Sequence, residues 1–94
     1  MTNTLSLPAV LDLAAATPLK ADLEARLGAP LDVDAANVER VGGLCLQILL
    51  AASAASGRAD LGFRIVNASQ AFRDDVKLMG AGGLLAPRDD GSAT

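Results

Sequence analysis

Leu5 and Leu7 alternate with Thr4 and Ser6, a period of two that predicts an opening strand. Pro8 interrupts it, and Val10 to Leu13 resume an extended path with Asp12 turned the other way. The period then changes. In TPLKADLEARLG, Leu19, Leu23 and Leu27 recur every four residues, which predicts a helix capped by Thr17, with Pro18 at its first position and Gly28 as its stop. Lys20/Glu24 and Asp22/Arg26 fall at i,i+4 on its other side, a solvated face of paired charges. Pro30 opens a short strand, Leu31 to Ala35, and a loop through Asn37 and Glu39 follows. Leu61 to Val66 reads as the next strand, with Phe63 and Ile65 on one face. Asn67 to Ser69 then cap a last helix that carries Phe72, Val76 and Met79 at core spacing and stops at Gly80. The tail PRDDGSAT offers the core nothing apolar, so a domain of residues 1–86 followed by a disordered 87–94 is expected.

One stretch breaks the pattern of apolar and polar sides. VERVGGLCLQILLAA, Val38 to Ala52, predicts a strand exit, a glycine turn and a helix that Gly57 ends; from Leu44 to Ala55 only Gln47 and Ser53 are polar. At 100° per residue, Cys45, Leu46, Leu49, Ala52, Ser53 and Ser56 cluster on one side. Leu44, Ile48, Ala51 and Ala55 fall opposite, with Gln47, Leu50 and Ala54 beside them. A helix apolar all round is ordinarily buried all round. If one flank packs on a sheet, the other is a partner surface.

Strands that alternate with helices predict an α/β domain with a mostly parallel sheet and right-handed crossovers. Three helices are too few for both faces of such a sheet, so a helical layer on one face is expected. Ninety-four residues make one domain with one core. The composition narrows the chemistry. There is no His, Tyr or Trp, so imidazole bases, imidazole metal ligands and a Tyr acid are excluded. A net charge of −3 and only two Phe argue against nucleic acid as a partner. The single Cys fits a reducing cytoplasm, and no secretory leader pattern opens the chain. The longest near-apolar run, 41–55, is shorter than a spanning helix of about 20 residues, so no membrane insertion is expected.

Three segments resemble STAS domains, in the order that family has them. Leu7 to Leu27 looks like the opening strand, turn and first helix, with Leu11-Asp12 at the family's Leu-Asp and Ala9 where its Gly usually stands. Leu31 to Leu50 resembles the family's central strand, D-S-S-G turn and helix, with Asp34 on the strand-end Asp, Val38 and Val41 on the apolar loop positions, and Leu46 and Leu49 on the helix leucines. FRIVNASQAFRDDVKLMGAGGLL is similar to the last strand and helix. The resemblance implies a STAS-like α/β fold, a four- or five-stranded mixed, mostly parallel sheet with helices mainly on one face. It also implies that the turn and first half of the helix meet a protein partner. The phosphoswitching members carry a Ser or Thr in the turn; here the matching residues are Gly42, Gly43, Leu44 and Cys45, and the phosphoacceptor position is Gly43.

A STAS-like protein of this kind is expected to be a non-catalytic regulator without cofactor or metal, docking through Gly42, Gly43, Leu44, Gln47, Ile48, Ala51 and Ala55. The implied partner is a signalling histidine kinase or a regulatory ATPase, the chemotaxis or two-component kinase being preferred. An anti-sigma-factor antagonist, an accessory subunit of a lipid-transport ATPase and a constitutive homodimer are the alternatives. Other readings attach to the same residues. Gly42-Gly43 ahead of a helix could cradle an anion, but no phosphate-loop or dinucleotide motif surrounds the pair. Cys45 is a buried small thiol or, at a helix N-terminus, a redox-sensitive one. Asp12 and Asp34 at strand ends serve turns and caps rather than a carboxylate pair.

Overall fold

Alternation along three short strands builds the sheet. β1 (Thr4–Ser6), β3 (Leu31–Asp34) and β5 (Phe63–Val66) pair in parallel in the order β1-β3-β5, in a register that sets Leu5 beside Val33 and Leu31 beside Phe63. Leu5, Leu31, Val33 and Phe63 are buried, whereas Thr4, Ser6 and Arg64, on the opposite side of the pleat, are exposed. On that polar face Arg64 donates from Nε and Nη2 to both oxygens of its cross-strand neighbour Asp32, each at 3.0 Å. The Arg64 side chain is largely exposed and that of Asp32 only partly so, and solvent screening on the arginine side keeps the pair's contribution to stability modest. The computed structural model describes residues 3–85, so the expected disorder of 87–94 lies outside the described residues.

The remaining strands form a second, smaller ladder. β2 (Val10–Leu11) pairs in parallel with β4 (Arg40–Val41), where the sequence predicts a loop. Two residues are too few to show a period, which is why β4 is silent in the sequence. The five strands thus divide three and two, and every pair among the described residues is parallel.

α1 (Leu13–Arg26) starts five residues earlier than the sequence predicts. Asp12, not Thr17, is the cap: its backbone is extended and its Oδ1 accepts from the Ala15 N–H at 3.2 Å. Three consecutive alanines then favour helix strongly enough to carry the chain through Pro18, which lies inside the helix rather than at its first position. Pro18 has no N–H for the Ala14 carbonyl, and its ring faces solvent. Ala16, Leu19 and Leu23 supply the buried face. The expected i,i+4 pairs do not close: Lys20, Glu24, Asp22 and Arg26 make no ion pair among the described residues.

α2 (Gly43–Arg58) runs one residue past Gly57. α3 (Gln70–Leu78) is capped by Ser69, whose Oγ accepts from the Phe72 N–H at 3.0 Å while donating to the Val38 carbonyl at 2.6 Å. Asp75 of α3 accepts from the Val41 N–H at 2.9 Å, so the α3 region holds the chain both just before β4 and within it. Gly80 ends this helix region with a φ of 79°, a conformation open to glycine. Met79 is exposed rather than in the core, because the helix ends at Leu78 and a 3-10 turn, Gly82–Leu85, brings Leu84 into the core instead. Phe72, Val76 and Leu84 join the leucines of α1 and α2 in one apolar cluster against the sheet.

Pro18→Ala restores the missing helical hydrogen bond at an exposed site. It is expected to raise stability by about 1–3 kcal/mol, read as an upward shift of the denaturation midpoint at unchanged slope.

Candidate docking site

The turn that leads into α2 is fixed by close backbone approach. Gly42 donates its N–H to the Leu11 carbonyl at 2.8 Å, and a Cβ added at Gly42 would stand 3.0 Å from that same oxygen. A side chain there is tight against the ladder, and the Leu11 carbonyl would have to give by a few tenths of an ångström to admit it. Gly43 differs: a Cβ would meet nothing within 4 Å, and the residue is exposed. Gly42 is the cap of α2 but supplies no side-chain hydrogen bond, and the first turn carries no acidic residue. The first-turn N–H groups therefore keep their positive end of the helix dipole uncompensated from within the helix.

α2 divides into two flanks. The inner flank, Cys45, Leu46, Leu49, Ala52, Ser53 and Ser56, is buried against the sheet and α1. On the outer flank Leu44 is 47 % exposed and Leu50 38 %; Gln47, Ala51 and Ala54 are exposed as well. Ile48 and Ala55 are half-buried, and Ile48 packs on the edge of the core. The seven residues singled out in the sequence thus lie along one end and one flank of a single helix. Between Gly43 and Gly57 α2 carries no charge at all.

Two grooves border this flank. On one side α1 contributes Ala16, Thr17 and Lys20, facing Leu44, Gln47, Ile48 and Ala51 across ≈ 480 Å³. The same cleft continues past Leu23 and Glu24 toward Ala52. On the other side ≈ 600 Å³ opens between α2 and the segment after α3, with Leu50 and Ala54 facing Met79, Ala81 and Leu84. Gln47 borders both and marks the crest.

Two residues that the sequence pattern assigns elsewhere, Leu13 to an extended segment and Met79 to the core, extend the apolar area. Leu13, the first residue of α1, is 77 % exposed. It sits at the same end of the fold as the α2 turn, where Gly42 and Cys45 meet the carbonyls of Leu11 and Asp12. Met79 faces Leu50 across the second groove. The pattern points elsewhere for both: Leu13 precedes the predicted start of α1, and Met79 keeps the core spacing of α3 but lies at its C-terminal cap.

A family model described as Mlab, STAS domain, matches residues 2–86. The chain belongs to the STAS-domain family. No curated protein and no solved structure matches it. STAS domains are in general non-catalytic domains that regulate through protein interaction, and the parallel strands and three helices seen here fit their fold. Within this STAS domain no helix among the described residues is long and apolar enough to cross a membrane. Among those residues, no group of three or more His, Cys, Asp or Glu is placed to hold a metal ion.

The other chemical groups near the STAS turn have structural partners. Asp12 caps α1, and Asp34 accepts from the Ala36 N–H at 2.9 Å and the Asn67 side chain at 3.2 Å. Cys45 is fully buried, and its Sγ donates to the Asp12 carbonyl at 3.3 Å. Burial pushes the Cys45 thiol above its ordinary value of 9.0, and the Asp12 charge pushes it further the same way. A thiol held protonated and out of solvent is a poor nucleophile. Because its folded-state value is raised, the stability it contributes is complete below pH 9.0 and declines as pH rises above that. Denaturant titrations above pH 9.0 are expected to show a stability loss that Cys45→Ala reduces, and thiol labelling at neutral pH is expected to run far more slowly in the native than in the unfolded chain.

Proposed function

We propose that this STAS domain is a non-catalytic docking regulator that presents the Gly42-Gly43 turn and the outer flank of α2 to a regulatory ATPase or a signalling histidine kinase, and is not itself phosphorylated there. The observation that carries this reading is the uncharged, exposed flank from Leu44 to Ala55, set between two grooves on a folded monomer. Covering Leu13, Leu44 and Leu50, together with the remainder of Ile48, is worth about 4 kcal/mol of apolar burial before the entropy of docking is subtracted. That is enough for these residues to act as anchors within a larger interface, and too little for them to bind alone.

The turn itself supports a partner that needs no phosphate acceptor. Gly43 has no hydroxyl, and the nearest serine of α2, Ser53, is buried on the inner flank. The alternative of an accessory subunit in a lipid-transport ATPase is favoured by this observation, since such a subunit acts by occupying its partner. A kinase remains compatible where it reads the shape of the domain rather than modifying it.

The test uses purified candidate partners of both kinds and two exposed positions whose substitution spares the core. Leu44→Glu and Ala51→Glu are expected to keep the wild-type melting transition while each weakens the complex by about 2 kcal/mol, roughly thirtyfold in Kd. Incubation with partner and labelled ATP is expected to leave the chain unlabelled. Wild-type affinity in both variants, or phosphate incorporated into the chain, contradicts the reading.

A further inference from the structure

The outer face of α1 and α2 is complementary to itself. The two helices follow parallel strands and run in the same direction, and the grooves between them set Lys20 beside Ile48 and Ala51, with Glu24 farther along beside Ala52. Along α2 the large residues of the exposed stripe, Leu44 and Ile48, come first, and the small ones, Ala51 and Ala55, come second. Along α1 the positive charge comes first and the negative second. Both orders reverse about the same level of the fold, between Ile48 and Ala51 on α2 and between Lys20 and Glu24 on α1.

We infer that, when no other protein covers it, this face closes on a second copy of the same chain in a two-fold symmetric, antiparallel dimer. A two-fold axis crossing the face at that level sets Leu44 over the partner's Ala55 and Ile48 over the partner's Ala51. Each large side chain then meets a small one, the condition for close packing without overlap. The same rotation sets Lys20 opposite the partner's Glu24 and, by symmetry, Glu24 opposite the partner's Lys20, as an isologous contact requires. Both charges are exposed and neither is spent on an ion pair within the described residues.

The face is small. Helices of 14 and 16 residues, about 1.5 Å per residue and about 10 Å apart, give a flat footprint on the order of 450 Å². Stable interfaces bury about 800 Å² per partner, so this dimer is weak and reversible and hides the face without locking it. It therefore competes with the docking proposed above, although it does not depend on that docking being right.

Charge exchange tests the geometry. Sedimentation velocity over a concentration series is expected to show reversible dimerisation of the wild type. Lys20→Glu makes both rim positions acidic and Glu24→Lys makes both basic, so each variant alone places like charges opposite each other and is expected to weaken association at least about tenfold. An equimolar mixture of the two variants is expected to recover wild-type association, because the acidic rim of one then meets the basic rim of the other on both sides. A wild type that stays monomeric throughout the series overturns the inference, as do single variants that associate like wild type or a mixture that fails to recover. None of these failures touches heterologous docking, which requires no charge reciprocity, whereas Leu44→Glu affects both and separates neither.

Discussion

The structure depends on one helix serving a small sheet as its roof. Cys45 and Leu49 of α2 are fully buried, and Gly42 is drawn so close to the Leu11 carbonyl that a Cβ there would stand only 3.0 Å from its oxygen. That contact joins the β2–β4 ladder to the start of α2 and aims the helix across the three-stranded sheet. With only three helices available, all of them are used on the apolar side, and the polar face bearing Arg64 and Asp32 is left to solvent. One layer of helices seals one core. Among the described residues, no element covers the outside of α2.

An exposed helix flank is ordinarily polar, because charge there keeps a protein from associating. Here the flank is leucine, isoleucine and alanine with one glutamine, Gln47, over about three turns, bordered by grooves rather than ridges. The apolar area carries a cost in solubility, which the docking role proposed above would offset. The alanines matter as much as the leucines. Small residues at Ala51, Ala54 and Ala55 let another backbone come close, while Leu44 and Leu50 give it anchors. The missing hydroxyl at Gly43 fits the proposed docking role, in which occupancy of this face rather than a covalent mark on the turn would be the regulated variable.

The division of α2 into its two flanks was legible in the sequence, since a period of 3.6 needs only side-chain polarity and a rough helix start. The three long strands were legible for the same reason, through alternation and the turn residues that bound them. What escaped was decided by tertiary contact. The cap at Asp12 looks no different in sequence from the cap at Thr17, and Pro18 favours the wrong one because a proline is usual at a helix start. The consequence reached the site, since Leu13 became the exposed first residue of α1 instead of the end of a strand. Arg40–Val41 pair with β2 through backbone contacts to Ala9 and Leu11, with Ser69 and Asp75 of the α3 region bonded to the same stretch of chain. Met79 keeps the spacing of a core residue but falls just past the last turn of α3, so it faces a groove.

The central claim is that the outer flank of α2 is open on the folded monomer and is closed only by another protein. Introducing Ala51→Cys gives a direct probe, because the buried Cys45 serves as a slow internal reference in the same molecule. In dilute solution, maleimide is expected to modify the new thiol at the rate of an exposed one while Cys45 stays unmodified, and modification at position 51 is expected to slow on saturation with a binding partner or at high chain concentration. Slow modification at position 51 in a preparation shown to be monomeric would contradict the account.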